Sequence, residues 1–275
     1  MELYQGIILG IIQGLTEFLP VSSSGHLVLG QIFFGITQSQ LVFDISVHMG
    51  TLLAVLVVYA SDIIAMLTSV TRFFLKAILF KPVVSLFKED ENLQMAGVII
   101  IGSIPTAIIG LGLKQFEHVL FTSKILVGCM LIVTGTILWI SRHYYYTGSK
   151  KSRLGINKAL VIGIVQGIAV IPGISRSGST IATGMFLGLD RHKAAKFSFL
   201  LSIPAILGAQ VLSIKDMMTL GISIDSVTIY ATIASFITGL IALKILLTLV
   251  HSGRFHLFAP YCWLIGSLVI LSKII

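Results

Sequence analysis

The chain has 275 residues, a mean hydropathy of +1.01 and only 11% charged residues. So much apolar surface excludes a soluble globular domain, and the lack of segments with alternating polarity excludes a β-barrel. A formal net charge of +8 invites a nucleic-acid reading, but the basic residues cluster between apolar runs, where they report membrane topology instead.

The first residues, Met1-Glu2-Leu3-Tyr4-Gln5, carry no Lys or Arg, so they lack the basic start of a secretory signal and are expected to stay in the mature protein. Residues 2–19 are apolar, break at Pro20 and resume over 26–34. Spans are expected at 41–61, 93–113 and 124–140, near the roughly 20 residues a bilayer requires. A second interrupted segment follows: 158–171 breaks at Pro172-Gly173 and resumes over 179–189. Further spans are expected at 194–214, 226–250 and 257–274. In the interrupted segments each arm is short for a span and the polar break would lie at mid-membrane depth. Non-helical backbone is tolerated there only when buried in protein or lining a cavity, so both read as re-entrant helical hairpins, 2–35 and 158–189. Cys129 and Cys262 lie in apolar runs without metal-ligand spacing and read as small core residues.

The expected architecture is an all-α polytopic membrane protein with six transmembrane helices plus two re-entrant hairpins. It forms a single membrane domain over 1–275, with repeat one at 1–141 and repeat two at 157–275. Each repeat has one hairpin and three spans, and an odd number of spans forces the second repeat to be inverted. Loop charges orient this map. Arg72, Lys76, Lys81, Lys88, Arg142, Lys150, Lys151, Arg153, Lys158, Arg191, Lys193, Lys196 and Arg254 fall on one side, against Lys114, Lys124, Lys215 and Lys273 on the other. The first side is therefore expected to be cytoplasmic, with both termini outside. Lys244 lies near the inner end of its span and can snorkel.

Polar residues concentrate at the two breaks. The first reads Gln13-Gly14-Leu15-Thr16-Glu17-Phe18-Leu19-Pro20-Val21-Ser22-Ser23-Ser24-Gly25-His26. The second reads Gln166-Gly167-Ile168-Ala169-Val170-Ile171-Pro172-Gly173-Ile174-Ser175-Arg176-Ser177-Gly178. Superposed without a gap they share Gln, Gly, a Ser pair and the last Gly, with the Pro displaced by one. Only the first supplies a carboxylate and a histidine, and only the second a guanidinium. Charges at such depth are costly and mark a functional site.

Serines that open a helix are ordinary N-caps, a reading that accounts for the hydroxyls but not for Arg176. Two helix N-termini meeting at hydroxyls form an anion site, and a guanidinium there matches phosphate oxygens. Ser22, Ser24, Ser175, Arg176, Ser177 and Thr180 are the candidate phosphate-binding residues; the rival role for Arg176 is an ion pair with Glu17. Glu17 either neutralises Arg176 or acts beside the phosphate as general base or metal ligand. Ser23 is the nucleophile or positions a water, and His26 transfers a proton. Asp44 and His48, one turn apart on the next span, are weaker candidates for support.

This pair of motifs, together with FSFLLSIPAILGA over 197–209 and spans in matching order along the whole chain, resembles the undecaprenyl-diphosphate phosphatase family, the bacitracin-resistance type of integral-membrane phosphatase. The resemblance implies removal of the terminal phosphate from a C55 polyprenyl diphosphate, regenerating the lipid carrier for cell-wall precursors. It also implies a divalent cation (Mg²⁺ or Ca²⁺), a location in the plasma membrane and an active site open to the outer face. Its functional residues fall here on Glu17, Ser23, His26, Ser175, Arg176, Ser177 and Thr180. Where the family often has a Glu this chain has Gln13, which puts a two-carboxylate metal site in doubt and leaves Gln13 free to bond broken backbone at the hairpin tip. The alternative function is a transporter or flippase of an anionic prenyl-phosphate lipid; no channel filter is visible. The expected partners are the lipid substrate and the membrane, with no nucleic acid; homo-oligomerisation is compatible with the sequence and not required by it.

Overall fold

The computed structural model describes residues 1–36, 41–79, 89–144, 153–220 and 225–272. Among them every regular segment is helical, as expected where no water is available to satisfy the backbone. Helix α1 (Leu3–Phe18) opens with a capping box between Glu2 and Gln5 and stops just before Pro20; α2 (Ser23–Phe33) begins three residues beyond that Pro. Then come α3 (Leu41–Val58) and α4 (Ala60–Ile78), followed by α5 (Glu91–Lys114), capped by Asp90. The short α6 (Glu117–Thr122) leads into α7 (Lys124–Ser141), capped by Ser123. The second half holds α8 (Ile156–Ile168), α9 (Arg176–Phe186), α10 (Arg191–Leu220) and α11 (Ser226–His251), whose cap is Asp225. A 3-10 turn at Phe255–Phe258 leads into α12 (Ala259–Leu271).

Two expectations change. The segment expected at 41–61 ends early: α3 bends by 76° at Tyr59 into α4, where the sequence suggested a loop. Helix α4 escapes notice because Asp62, Arg72 and Lys76 interrupt its hydropathy, while Ile64, Leu67, Leu75 and Ile78 are exposed in the pattern of an interfacial helix. The ion pair of Lys196 Nζ with Asp62 Oδ1, at 2.6 Å, ties it to α10. The segment expected at 257–274 is divided between the 3-10 turn and the 13-residue α12. Among the described residues, α5, α7, α10 and α11 are each long and apolar enough to cross a membrane, and the bent α3–α4 pair makes a fifth when counted as one.

The hairpins are held by exchange between the halves. Helix α1 packs on α11, and α8 packs on α5. Lipid tails compete equally for apolar side chains, so close backbone approach between small residues drives such association. A Cβ on Gly14 of α1 would stand 2.5 Å from Ser235 O of α11, and one on Gly163 of α8 would collide with the Gly102 carbonyl of α5. Beneath the hairpin tips lies a core of fully buried rings, Phe18, Phe197 and Phe199, with Phe18 edge-on to Phe199 at 5.9 Å.

Candidate active site

Both hairpins turn through left-handed backbone: Ser22 has φ 71° and Gly173 has φ 95°. At Gly173 any side chain would run into the Val127 carbonyl, so only glycine fits. The two turns touch, since Gly173 N–H donates to Ser22 Oγ at 3.0 Å. Thr134 of α7 pins the second turn from behind, donating to Gly173 O at 2.9 Å and accepting from Ser175 N–H at 3.0 Å. Ser22 then caps α2 by accepting from Gly25 N–H at 3.4 Å, and Ser175 caps α9 by accepting from Gly178 N–H at 3.0 Å. The first helical residue of α2 is Ser23 and that of α9 is Arg176.

Those two residues meet on one carboxylate. Glu17, in the last turn of α1 and 8% exposed, accepts from Arg176 Nη2 at 2.5 Å through Oε1 and from Ser23 Oγ at 2.6 Å through Oε2. Gln13 Nε2 also donates to Oε2, at 2.9 Å. Both carboxylate oxygens thus accept hydrogen bonds and one faces a cation, the condition under which a charge is tolerated at depth. Arg176 is not exhausted by this pair: its Nη1 is buried without a partner among the described residues, and so is Gln13 Oε1. A guanidinium with one nitrogen on a carboxylate and the other unsatisfied is poised for a second anion.

The remaining candidates divide. Ser22, Ser175, Ser177 and Thr180 are buried, and their hydroxyls are engaged inside the protein. Ser177 donates to Phe18 O at 2.9 Å, and Thr180 bonds Ser198 Oγ and Arg176 O. Ser23, Ser24 and Arg176 are only half-buried and can face a ligand. His26 is directed away from the cluster: Nδ1 donates to Ser22 O at 2.9 Å, and Nε2 lies 2.8 Å from the Tyr261 hydroxyl of α12. Gln13 bonds the Glu17 carboxylate and not the backbone of the tip. Its counterpart Gln166 donates to Leu201 O at 3.2 Å and Thr106 Oγ1 at 3.3 Å.

His48 comes closer than sequence reasoning placed it. Its Nδ1 donates to Asp44 O at 2.7 Å, which turns Nε2 to within 3.9 Å of Glu17 Oε2. Asp44 supports it through a backbone carbonyl, while its carboxylate accepts from Gln31 Nε2 at 2.8 Å. Tyr261 and Thr134 were missed altogether. One reads as an aromatic in an apolar run and the other as a small packing residue, so neither carries a signal in the sequence.

The donor set does not form a resident divalent-cation site. Among the described residues no three of His, Cys, Asp or Glu converge, and both Glu17 oxygens already accept from Arg176, Ser23 and Gln13. Magnesium and calcium take hard oxygen ligands, and the amide of Gln13 presents its nitrogen here.

The model of the family described as bacitracin resistance protein BacA matches residues 6–268. An undecaprenyl-diphosphatase of Desulforapulum autotrophicum is 55% identical over 272 residues, covering 99% of each chain. Another, of Desulfosudis oleivorans, is 54% identical and covers 98% of each. One from Methanosphaera stadtmanae is 40% identical over 100% of this chain and 99% of its own. With its two charged hairpin tips and a match along nearly its whole length, the chain belongs to the bacitracin resistance protein BacA family.

Proposed function

We propose that this protein removes the terminal phosphate of undecaprenyl diphosphate, leaving the lipid monophosphate and inorganic phosphate. The observation that carries the reading is the convergence of Ser23 and Arg176 on Glu17 where the two hairpins meet. The terminal phosphate accepts from Arg176 through Nη1, at the meeting N-termini of α2 and α9, whose dipoles favour an anion. Ser23 Oγ attacks phosphorus as the bond to the bridging oxygen breaks. The Ser23 proton passes to Glu17, and the lipid monophosphate departs with the bonding electrons and takes up that proton. Water then attacks the seryl phosphate, losing a proton to Glu17, which returns it to Ser23 Oγ. The same groups serve direct attack by water, with Ser23 orienting it; trapping a phosphorylated Ser23 peptide separates the two routes. No step runs through a metal, and the divalent cation implied by the family resemblance would arrive on the diphosphate.

A carrier has no need of a hydroxyl whose proton is aimed at a carboxylate, so no observation favours the transporter or flippase reading. The test is phosphate release by purified protein in detergent. One phosphate is expected per prenyl diphosphate and none from the monophosphate; lipid movement in vesicles without phosphate release would replace this reading with the carrier.

The exchange of α1 and α8 onto the opposite halves supports an inverted repeat with repeats at 1–141 and 157–275. The charge asymmetry supports termini on the outside, and the family resemblance implies a site open to the outer face. In intact cells a tag after Ile275 should be accessible and Ser149→Cys protected from an impermeant thiol reagent; the reverse labelling contradicts this orientation.

A further inference from the structure

We propose that Tyr261 is a positioning residue of the reaction, holding His26 in a single tautomer with its acceptor nitrogen reserved. This rests on the expectation, read from the sequence, that His26 transfers a proton in the proposed reaction, alongside the role given there to Glu17. The geometry fixes the protons. Ser22 O can only accept, so the Nδ1 that lies 2.9 Å from it carries the hydrogen. In the neutral ring Nε2 is therefore the acceptor, and among the described residues the group bonded to it is the Tyr261 hydroxyl at 2.8 Å. The two rings also stack, at 5.7 Å between centroids and 13° between planes, so rotation of the imidazole is restricted from its face as well as its edge.

The contact is anchored on both sides. Ser22 is held by Gly173 of the other hairpin, which fixes the carbonyl end. On α12 the next residue, Cys262, is buried and donates to Pro20 O at 3.5 Å, so consecutive side chains of one helical turn grip both the tip and the histidine of the first hairpin. Tyr261 itself is 42% exposed, unlike the buried rings of the core, so packing alone does not account for its orientation. With Nε2 the acceptor, His26 takes a proton in the reaction only by exchanging the phenol for the group that gives that proton up, an attacking hydroxyl or water. Until then the phenol holds Nε2 unprotonated and turned toward α12.

The test compares Tyr261→Phe, which keeps the stacking ring and removes the hydroxyl, with His26→Ala and the double variant. Tyr261→Phe should lower kcat roughly tenfold, the effect of one hydrogen bond, with KM changed less than about twofold. In the His26→Ala background the same change should cost nothing further. Nitrogen-15 spectra of histidine-labelled protein should show the Nδ1–H tautomer at His26 in the parent and a mixture in Tyr261→Phe. An unchanged tautomer in Tyr261→Phe overturns the proposal, as does a loss of the same size in both backgrounds or an effect confined to KM. Full turnover in His26→Ala would instead remove His26 from the proposed chemistry, and the nitrogen spectra would still decide whether Tyr261 positions it.

Discussion

The two hairpin tips are alike in frame and opposite in chemistry. Superposed without a gap, Ser22 falls on Ser175 and Gly25 on Gly178, and in each tip the serine caps its helix through the matching glycine N–H. The positions that differ are those that bind one another: Ser23 falls on Arg176, and both donate to Glu17, whose own counterpart is the apolar Val170. His26 falls on Ser179, whose hydroxyl is buried without a partner among the described residues. The frame is duplicated and the reactive groups are divided, one tip giving acid, hydroxyl and imidazole and the other the guanidinium. Neither tip alone could keep its charge at this depth, because each supplies only one sign.

The sharpest way to break this division is at Arg176. Arg176→Ala should be nearly inactive while remaining folded. Arg176→Lys keeps the charge but loses the planar fork that spans Glu17 and a phosphate, and turnover should fall on the order of 10²-fold. Wild-type turnover in the lysine variant would reduce Arg176 to a counter-ion. A smaller effect is expected behind the second tip. Thr134→Val preserves shape but strands Gly173 O and Ser175 N–H, so it should cost about 2 kcal/mol of stability, read as a lower unfolding midpoint in detergent. Unchanged stability would mean that the tip is held by the first hairpin alone.

How far the sequence reveals this site follows from the cost of polarity in lipid. Glu17, Ser23 and Arg176 stand out because nothing structural requires charge within an apolar run, and the paired breaks at Pro20 and Pro172-Gly173 mark where the tips lie. Residues that fit the apolar pattern leave no such trace. Tyr261 looks like any membrane aromatic, and Thr134 like any small residue at a helix contact. The bend at Tyr59 is hidden for another reason: α4 mixes charge and apolar residues, so its hydropathy resembles a loop although its pattern is that of an interfacial helix. The engagement of Ser177 and Thr180 inside the protein is equally invisible, because a capping or bracing hydroxyl and a phosphate-binding one are the same residue type.

The smallest expected effect lies at Gln13, which shares its position with Gln166 but bonds the carboxylate. Gln13→Glu adds a hard oxygen ligand beside Glu17, so half-maximal activity should require less divalent cation than in the parent. Identical cation dependence in the two proteins would make Gln13 a purely structural donor to Glu17.

The central claim is that the Glu17 carboxylate takes a proton during phosphate release, beyond balancing Arg176. Glu17→Gln keeps size and hydrogen-bonding capacity but cannot accept that proton. Phosphate release from a prenyl diphosphate by the purified variant, at parental expression and unfolding midpoint, should fall roughly 10²-fold or more. Release at the parental rate would contradict the account.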